Sequence, residues 1–196
     1  MEKRLNETNK VIDTVCFEEN EQVEVCGKQY KIIRLLGKGK GGYSYLAEAD
    51  GLSVVLKQIH HEPCDYYTFG DKIKAEYQDH ERLLKAGIRI PELLEIDFAK
   101  ERIVKEYIPG ETVFAYVRDG LSVEPYLVQV REMALKAKKN GLNIDYFPTN
   151  FIIHDDVIWY VDYECNDYAE EWNFENWGIR YWSQTEEFLR YLKEQE

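Results

Sequence analysis

The chain has 196 residues, 44% of them hydrophobic and 14% aromatic, enough for one generous domain or two small lobes and too apolar for long-range disorder. With 37 acidic against 25 basic side chains the formal net charge is −12, which repels phosphate backbones and argues against nucleic acid as a partner. No apolar run approaches the roughly 18 residues of a membrane span, and the opening MEKRLNETNK lacks the apolar stretch of a signal peptide, so no membrane partner and a cytoplasmic location are expected. The four cysteines, Cys16, Cys26, Cys64 and Cys165, have no CxxC spacing and no nearby histidine pattern, which predicts free thiols rather than a zinc site or redox pair.

In chain order, residues 1–28 show weak periodicity and many charges and are expected to form a partly ordered extension with one short strand, Glu21 to Cys26. Tyr30 to Leu36 reads as an apolar strand, Tyr43 to Ala49 alternates, and Leu52 to Ile59 is rich in β-branched residues, with Asp50-Gly51 as a turn between the last two. A glycine-rich turn, Gly37-Lys38-Gly39-Lys40-Gly41-Gly42, opens this meander. Thr68 to Ala86 predicts a helix stopped at Gly87, and Leu93 to Phe98 and Arg102 to Tyr107 predict two further strands. Pro109-Gly110 then breaks the chain as a linker between lobes. Beyond it, Val123, Leu127, Val130, Ala134 and Ala137 recur at helical spacing, which predicts an amphipathic helix over Ser122 to Asn140 ended by Gly141. A loop from Asp145 to Asn150 leads into two apolar strands, Phe151 to Ile153 and Val157 to Val161, joined by His154-Asp155-Asp156, and Gln184 to Lys193 closes as a helix.

Five polar side chains carry the chemistry: Lys57, Glu76, Asp145, Asn150 and Asp162. A GxGxxG match alone is as often a structural turn, but here it lies between two strands of a meander and not between a strand and a helix. That placement disfavours a dinucleotide fold and favours a flap over a nucleotide. Lys57 stands in an apolar strand with Val55 and Ile59 on its face, a costly position for an ammonium without a carboxylate or phosphate partner. Glu76, in the predicted helix, is the expected partner, with Glu81 as a rival; the bland alternative is a lysine that snorkels at a sheet edge. Asp145 and Asn150 have D-x-x-x-x-N spacing, and Asp162 follows a hydrophobic strand 12 residues later. A hairpin between them would bring the amide and the second carboxylate to one Mg²⁺, an ion that takes one or two protein oxygens plus phosphates. Asp145 alone could equally be a loop acid or a helix cap.

LLGKGKGGYSYLAEADGLSVVLK, KAEYQDHERLLKAGIRIPELLEID, IVKEYIPGETV and NIDYFPTNFIIHDDVIWYVDYE resemble the protein-kinase-like superfamily, near its compact RIO-like and aminoglycoside-phosphotransferase-like members, over about Tyr30 to Glu164. The resemblance implies an α+β, two-lobed fold with an antiparallel five-stranded N-lobe at 29–108 and a reduced, mainly helical C-lobe at 109–196. It implies ATP and Mg²⁺ as cofactors. Gly37, Gly39 and Gly42 would cover the phosphates, Lys57 would contact them while paired with Glu76, and Val55 with the backbone of Glu106 to Ile108 would hold the adenine. Asp145 would act as catalytic base, and Asn150 and Asp162 would bind the metal. Departures from the kinase pattern are Asn143-Ile144 before Asp145, Phe147 where a catalytic-loop lysine is usual, Asp162-Tyr163-Glu164, Ser44 where a valine is usual, and Lys105 in the nucleotide pocket.

Only 39 positions separate Glu106 from Asp145, too few for the helices with which small-molecule phosphotransferases enclose their substrates. An open cleft suits a protein segment, so the expected activity is transfer to Ser or Thr of a protein, with a basic partner favoured by the acidic surface. The alternatives are a nucleotide-binding pseudokinase and a small-molecule hydroxyl kinase. The aromatic stretch Trp172 to Trp182 is expected to pack as core.

Overall fold

The computed structural model describes residues 16–62 and 70–194. Most of the expected N-terminal extension, the expected helix start at Thr68, and Cys64 lie outside them. The described chain divides into two compact units, one of residues up to Lys72 with Glu95–Val104, the other of Ile73–Leu94 and the residues from Lys105 onward.

The first unit is built on a sheet. Strands β1 (Gln22–Val25), β2 (Lys28–Lys38), β3 (Gly42–Ala49), β4 (Leu52–Ile59), β5 (Leu93–Asp97) and β6 (Arg102–Glu106) lie in the order β1-β2-β3-β4-β6-β5. β1 to β4 pair antiparallel. Two of their connections are two-residue turns with positive φ at both positions: Cys26 and Gly27 at +51° and +85°, Asp50 and Gly51 at +55° and +75°. Such turns match the right-handed twist of the strands they join. The strand expected at Glu21 to Cys26 forms as β1 and joins the sheet as a sixth strand beside the five expected at 29–108, because Val23 and Val25 bury among Tyr30, Ile32, Tyr45, Val54 and Leu56. From Val54 onward β4 is buried on both faces except at Lys57, which is half-buried, while Leu52 and Ser53 at its start are exposed. Val54 and Leu56 join that core, whereas Val55, Lys57 and Ile59 alternate onto the opposite side.

The second unit begins within α1 (Lys72–Ala86), at Ile73. Gly87, at φ +71°, ends it, with Gly87 N–H donating to Leu84 O and Ile88 N–H to Leu83 O, a left-handed stop that satisfies carbonyls of the last turn. After β7 (Glu111–Thr112) comes α2 (Val113–Arg118), a helix without a clear sequence signal, started by Thr112, whose Oγ1 accepts from Ala115 N–H at 3.1 Å. α3 (Glu124–Lys139) buries Tyr126, Val130, Met133 and Ala137. This stripe differs from the predicted one because Val123 precedes the first turn and Leu127 and Ala134 sit at its margin. Strands β8 (Leu142–Ile144), β9 (Phe151–His154), β10 (Val157–Tyr160) and β11 (Cys165–Asp167) make two small pairings, β9 with β10 and β8 with β11. α4 (Glu186–Glu194) follows. The Trp172 to Trp182 segment splits: Phe174 and Trp182 are core, with the Trp182 indole N–H donating to Tyr146 O at 2.8 Å, while Trp172 is 54% exposed. Among the described residues, no helix is long and apolar enough to cross a membrane, and Cys16, Cys26 and Cys165 are free thiols.

Candidate active site

The glycine turn lies between β2 and β3, closed by the Lys38–Tyr43 pair and a Gly39 N–H to Gly42 O bond of 2.9 Å. Its carbonyls are tied down. His60 Nε2 contacts Gly39 O at 3.0 Å, Lys72 Nζ donates to Lys40 O at 3.2 Å and to His60 O at 2.6 Å, and His60 N–H donates to Gly41 O at 3.3 Å. Glu62 adds a clamp, taking the Tyr43 hydroxyl at 2.6 Å and the Lys38 ammonium at 2.5 Å, which holds that ammonium's pKa well above its ordinary value. In a trans peptide the amide that follows a carbonyl points the opposite way. Anchoring the oxygens of Gly39, Lys40 and Gly41 therefore turns the N–H groups of Lys40, Gly41 and Gly42 away from the anchors. Lys57 stands opposite Ser44 in β4, and its Nζ lies 3.6 Å from where a Cβ on Gly41 would sit. The turn and Lys57 thus share one place. Gly37 has open space around it and a Cβ on Gly39 would just reach Gly42 O at 4.0 Å, whereas Gly42 is packed against the backbone of Gln58. Val55 is buried in the same strand.

In the second unit, two short pairings converge the expected base and metal ligands. β8 ends at Ile144, opposite Cys165 of β11, which puts Asp145 beside Glu164. The expected hairpin between β9 and β10 pairs Phe151 with Tyr160, and beyond it Val161 N–H donates to Asn150 O at 2.9 Å, which places Asp162 next to Asn150. Tyr160, fully buried, joins the two pairings: its hydroxyl accepts from Asp145 N–H at 3.2 Å and donates to Glu164 O at 2.8 Å. Asn150 Nδ2 donates to Asp145 O at 3.4 Å, a bond that does not engage its Oδ1, the atom expected to meet a metal. The carboxylates also shape their loops, Asp145 Oδ1 accepting from Phe147 N–H and Asp162 Oδ1 from Tyr163 N–H.

Lys105 is 5% exposed, and its ammonium donates to Val161 O at 2.5 Å and lies 4.5 Å from the centre of the Tyr163 ring. A backbone carbonyl and an aromatic face are among the groups that stabilise this buried ammonium. The Tyr163 hydroxyl donates to Pro91 O at 2.7 Å and its ring packs on His80. Glu76 is buried in α1, and Glu106 accepts Glu92 N–H at 3.1 Å, next to buried Ile108. Lys57 belongs to the first unit, Glu76 to the second. Phe147 packs its ring on Tyr181, Tyr191 and Phe114, so the residue at the usual lysine position anchors the loop. Among the described residues no three His, Cys, Asp or Glu side chains group as a metal site.

Sequence reasoning missed Tyr160, His60 and Lys72. Tyr160 alternates like any core residue of a strand, and only its place two residues before Asp162 sets it apart. It also missed the anchor of β11. Asp79 accepts Cys165 N–H and Arg82 while Arg82 reaches Asp167 at 2.6 Å. Burial and the neighbouring Asp79 push the Cys165 thiol up to about 12 from an ordinary 9.0. Burial likewise raises the phenols of Tyr146, Tyr160 and Tyr163 above their ordinary 10.0. These groups stay protonated in the fold and ionise when unfolded, so their contribution is intact below about pH 9 and is lost as pH rises towards 12. The melting temperature is expected to fall steadily over that interval, beyond any change between pH 7 and 9; a flat profile from pH 9 to 11 would contradict the buried phenols.

No protein-family model matches the chain. It is 26% identical over 140 residues to a Bacillus subtilis protein named as a candidate serine/threonine-protein kinase, YrzF, covering 71% of this chain and 61% of that one. It is 25% identical over 128 residues to the EKC/KEOPS complex subunit bud32 of Dictyostelium discoideum, covering 63% and 50%. The chain spans about half to three fifths of the length of these relatives. Both relatives carry kinase or kinase-complex names, and their likeness, with an α+β fold compatible with that architecture, supports a resemblance to the protein-kinase-like superfamily.

Proposed function

We propose that this protein-kinase-like chain transfers the γ-phosphate of ATP to a hydroxyl, and that the acceptor is Ser or Thr of a protein. The observation that carries the reading is the convergence of Asp145, Asn150 and Asp162 through two strand pairings held by Tyr160. The donors fit the ion: an amide oxygen and a carboxylate are hard ligands of the kind Mg²⁺ accepts, in the small number it takes when phosphates complete the shell. When bound, Mg²⁺ supplies charge neutralisation at the phosphates.

The chain's own residues do the rest. The amides of Lys40, Gly41 and Gly42, with the Lys57 ammonium beside them, suit a polyanion. Glu76, Val55, Glu106 and Ile108 keep the roles the resemblance implies. Asp145 receives the proton of the acceptor hydroxyl as the oxygen attacks phosphorus, and the leaving ADP oxygen carries the charge released. The turn that Asp145 Oδ1 makes with Phe147 N–H holds the carboxylate in one orientation.

Phe147, fixed among rings in place of a lysine, favours a second reading: a module that binds nucleotide without turnover. One experiment separates the two. Purified protein with Mg²⁺ and γ-labelled ATP is expected to label itself or a Ser/Thr acceptor, and Asp162→Ala is expected to lower the rate by about 10²-fold or more. A rise in melting temperature with Mg–ATP but no transfer to any acceptor selects the second reading.

A further inference from the structure

We infer that the pocket beside Asp145 is a subsite for a cationic side chain, Lys or Arg, next to the acceptor Ser or Thr of a protein substrate. This rests on the phosphotransferase reading for its meaning, though the binding it predicts can be measured without turnover. The pocket, of about 390 Å³, is lined by Asn143, Asp145, Glu164, Asp167, Trp172 and Trp177 among others, all in the second unit.

Three features fix what it can hold. First, Asn143 is 4% exposed; its Nδ2 donates to Ala169 O at 2.7 Å, and its Oδ1 is buried with no donor among the described residues. A buried carbonyl without a donor calls for one from outside. Second, Asp145, Glu164 and Asp167 are acceptors only when ionised. Arg82 offsets part of their charge by pairing with Asp167, from outside the lining. Third, Trp172 is 54% exposed and meets Trp177 at a ring separation of 6.0 Å, near edge-on. Trp177 is itself held by Tyr181 and Phe147, so its indole is fixed as part of the pocket lining.

A wall of acceptors with indole rings selects a donor-only cation and rejects phosphate and carboxylate. The charge of −12 over the whole chain works in the same direction. Because Asp145 is both pocket wall and proposed base, a cation seated here brings a hydroxyl one or two residues along the peptide to that carboxylate. The segment Trp172 to Trp182 thereby does two jobs, with Trp182 as core and Trp172 as contact surface.

The test uses three synthetic Ser peptides that differ only in flanking residues: Arg, Gln or Glu. Binding is followed by tryptophan fluorescence and calorimetry without nucleotide, and phosphorylation by initial rates with Mg–ATP. The Arg peptide is expected to bind at least about 10-fold tighter than the Gln peptide, and Trp172→Ala or Glu164→Gln to cut that preference to about 3-fold or less while circular dichroism stays native. Equal binding of the Arg and Gln peptides overturns the inference, as does a preference that neither substitution reduces, since the cation then sits elsewhere. Equal phosphorylation of both peptides would leave the phosphotransferase standing without this subsite. Selective Arg-peptide binding with no transfer to any peptide keeps the subsite and removes the phosphotransferase.

Discussion

Asp145→Asn is expected to lower phosphoryl transfer by about 10²–10⁴-fold, the usual worth of a positioned general base. The substitution is chosen to be quiet elsewhere. An asparagine keeps a carbonyl for the Phe147 N–H now bonded at 3.0 Å, and the backbone N–H that Tyr160 receives is untouched. Stability should therefore change by less than about 1 kcal/mol. Stabilisation by Mg–ATP should persist, because the proposed metal ligands are Asn150 and Asp162. Initial rates with γ-labelled ATP, beside thermal shifts on the same samples, decide it. Transfer at the wild-type rate would remove Asp145 as the base, even if Asp162→Ala is inactive.

Local features of the fold were legible because their signals are local. Asp50-Gly51 marked a hairpin by its turn chemistry, and Gly87 and Gly141 ended helices where left-handed stops were expected, at φ +71° and +70°. The β9–β10 hairpin followed from two apolar runs around Asp155-Asp156. What was not legible depends on partners far along the chain. The strand at Glu21 to Cys26 was expected, but not its place in the main sheet, which it takes because Val23 and Val25 find a core built from residues 30 to 104. β8 and β11 are three residues each, below the length at which alternation can be read. Tyr160 looked like filler, yet its hydroxyl joins Asp145 to Glu164. Lys105 could be recognised as a buried charge but not as one answered by a main-chain carbonyl 56 positions away. Residue types named the candidates; only pairing distances could show that Asp145, Asn150 and Asp162 come together.

Gly42→Ala should be the most damaging small substitution in the glycine turn, with a loss of about 2–4 kcal/mol of stability and of Mg–ATP binding together. Gly42 pairs with Ile59 across β3 and β4, and a Cβ there would come within 2.4 Å of the Gln58 carbonyl oxygen and 3.2 Å of Ile59 Cα. Neither atom is the end of a flexible side chain. Gln58 is also pinned, its Nε2 donating to Ile59 O and Lys100 O at 3.1 Å and its Oε1 accepting from Arg102 at 2.8 Å. The strands must then part at the point where His60 holds the carbonyls of Gly39 and Gly41 and where Lys57, one residue from Gln58, meets the turn. Gly37→Ala is the counterpart: a Cβ there meets nothing within 4 Å and its φ is not positive, so stability should stay within about 0.5 kcal/mol. Urea unfolding midpoints of the two variants measure the contrast. If Gly42→Ala proves as stable as Gly37→Ala, the close approach of β3 to β4 is not what makes a glycine necessary there, and the anchored turn proposed to face the phosphates loses its footing.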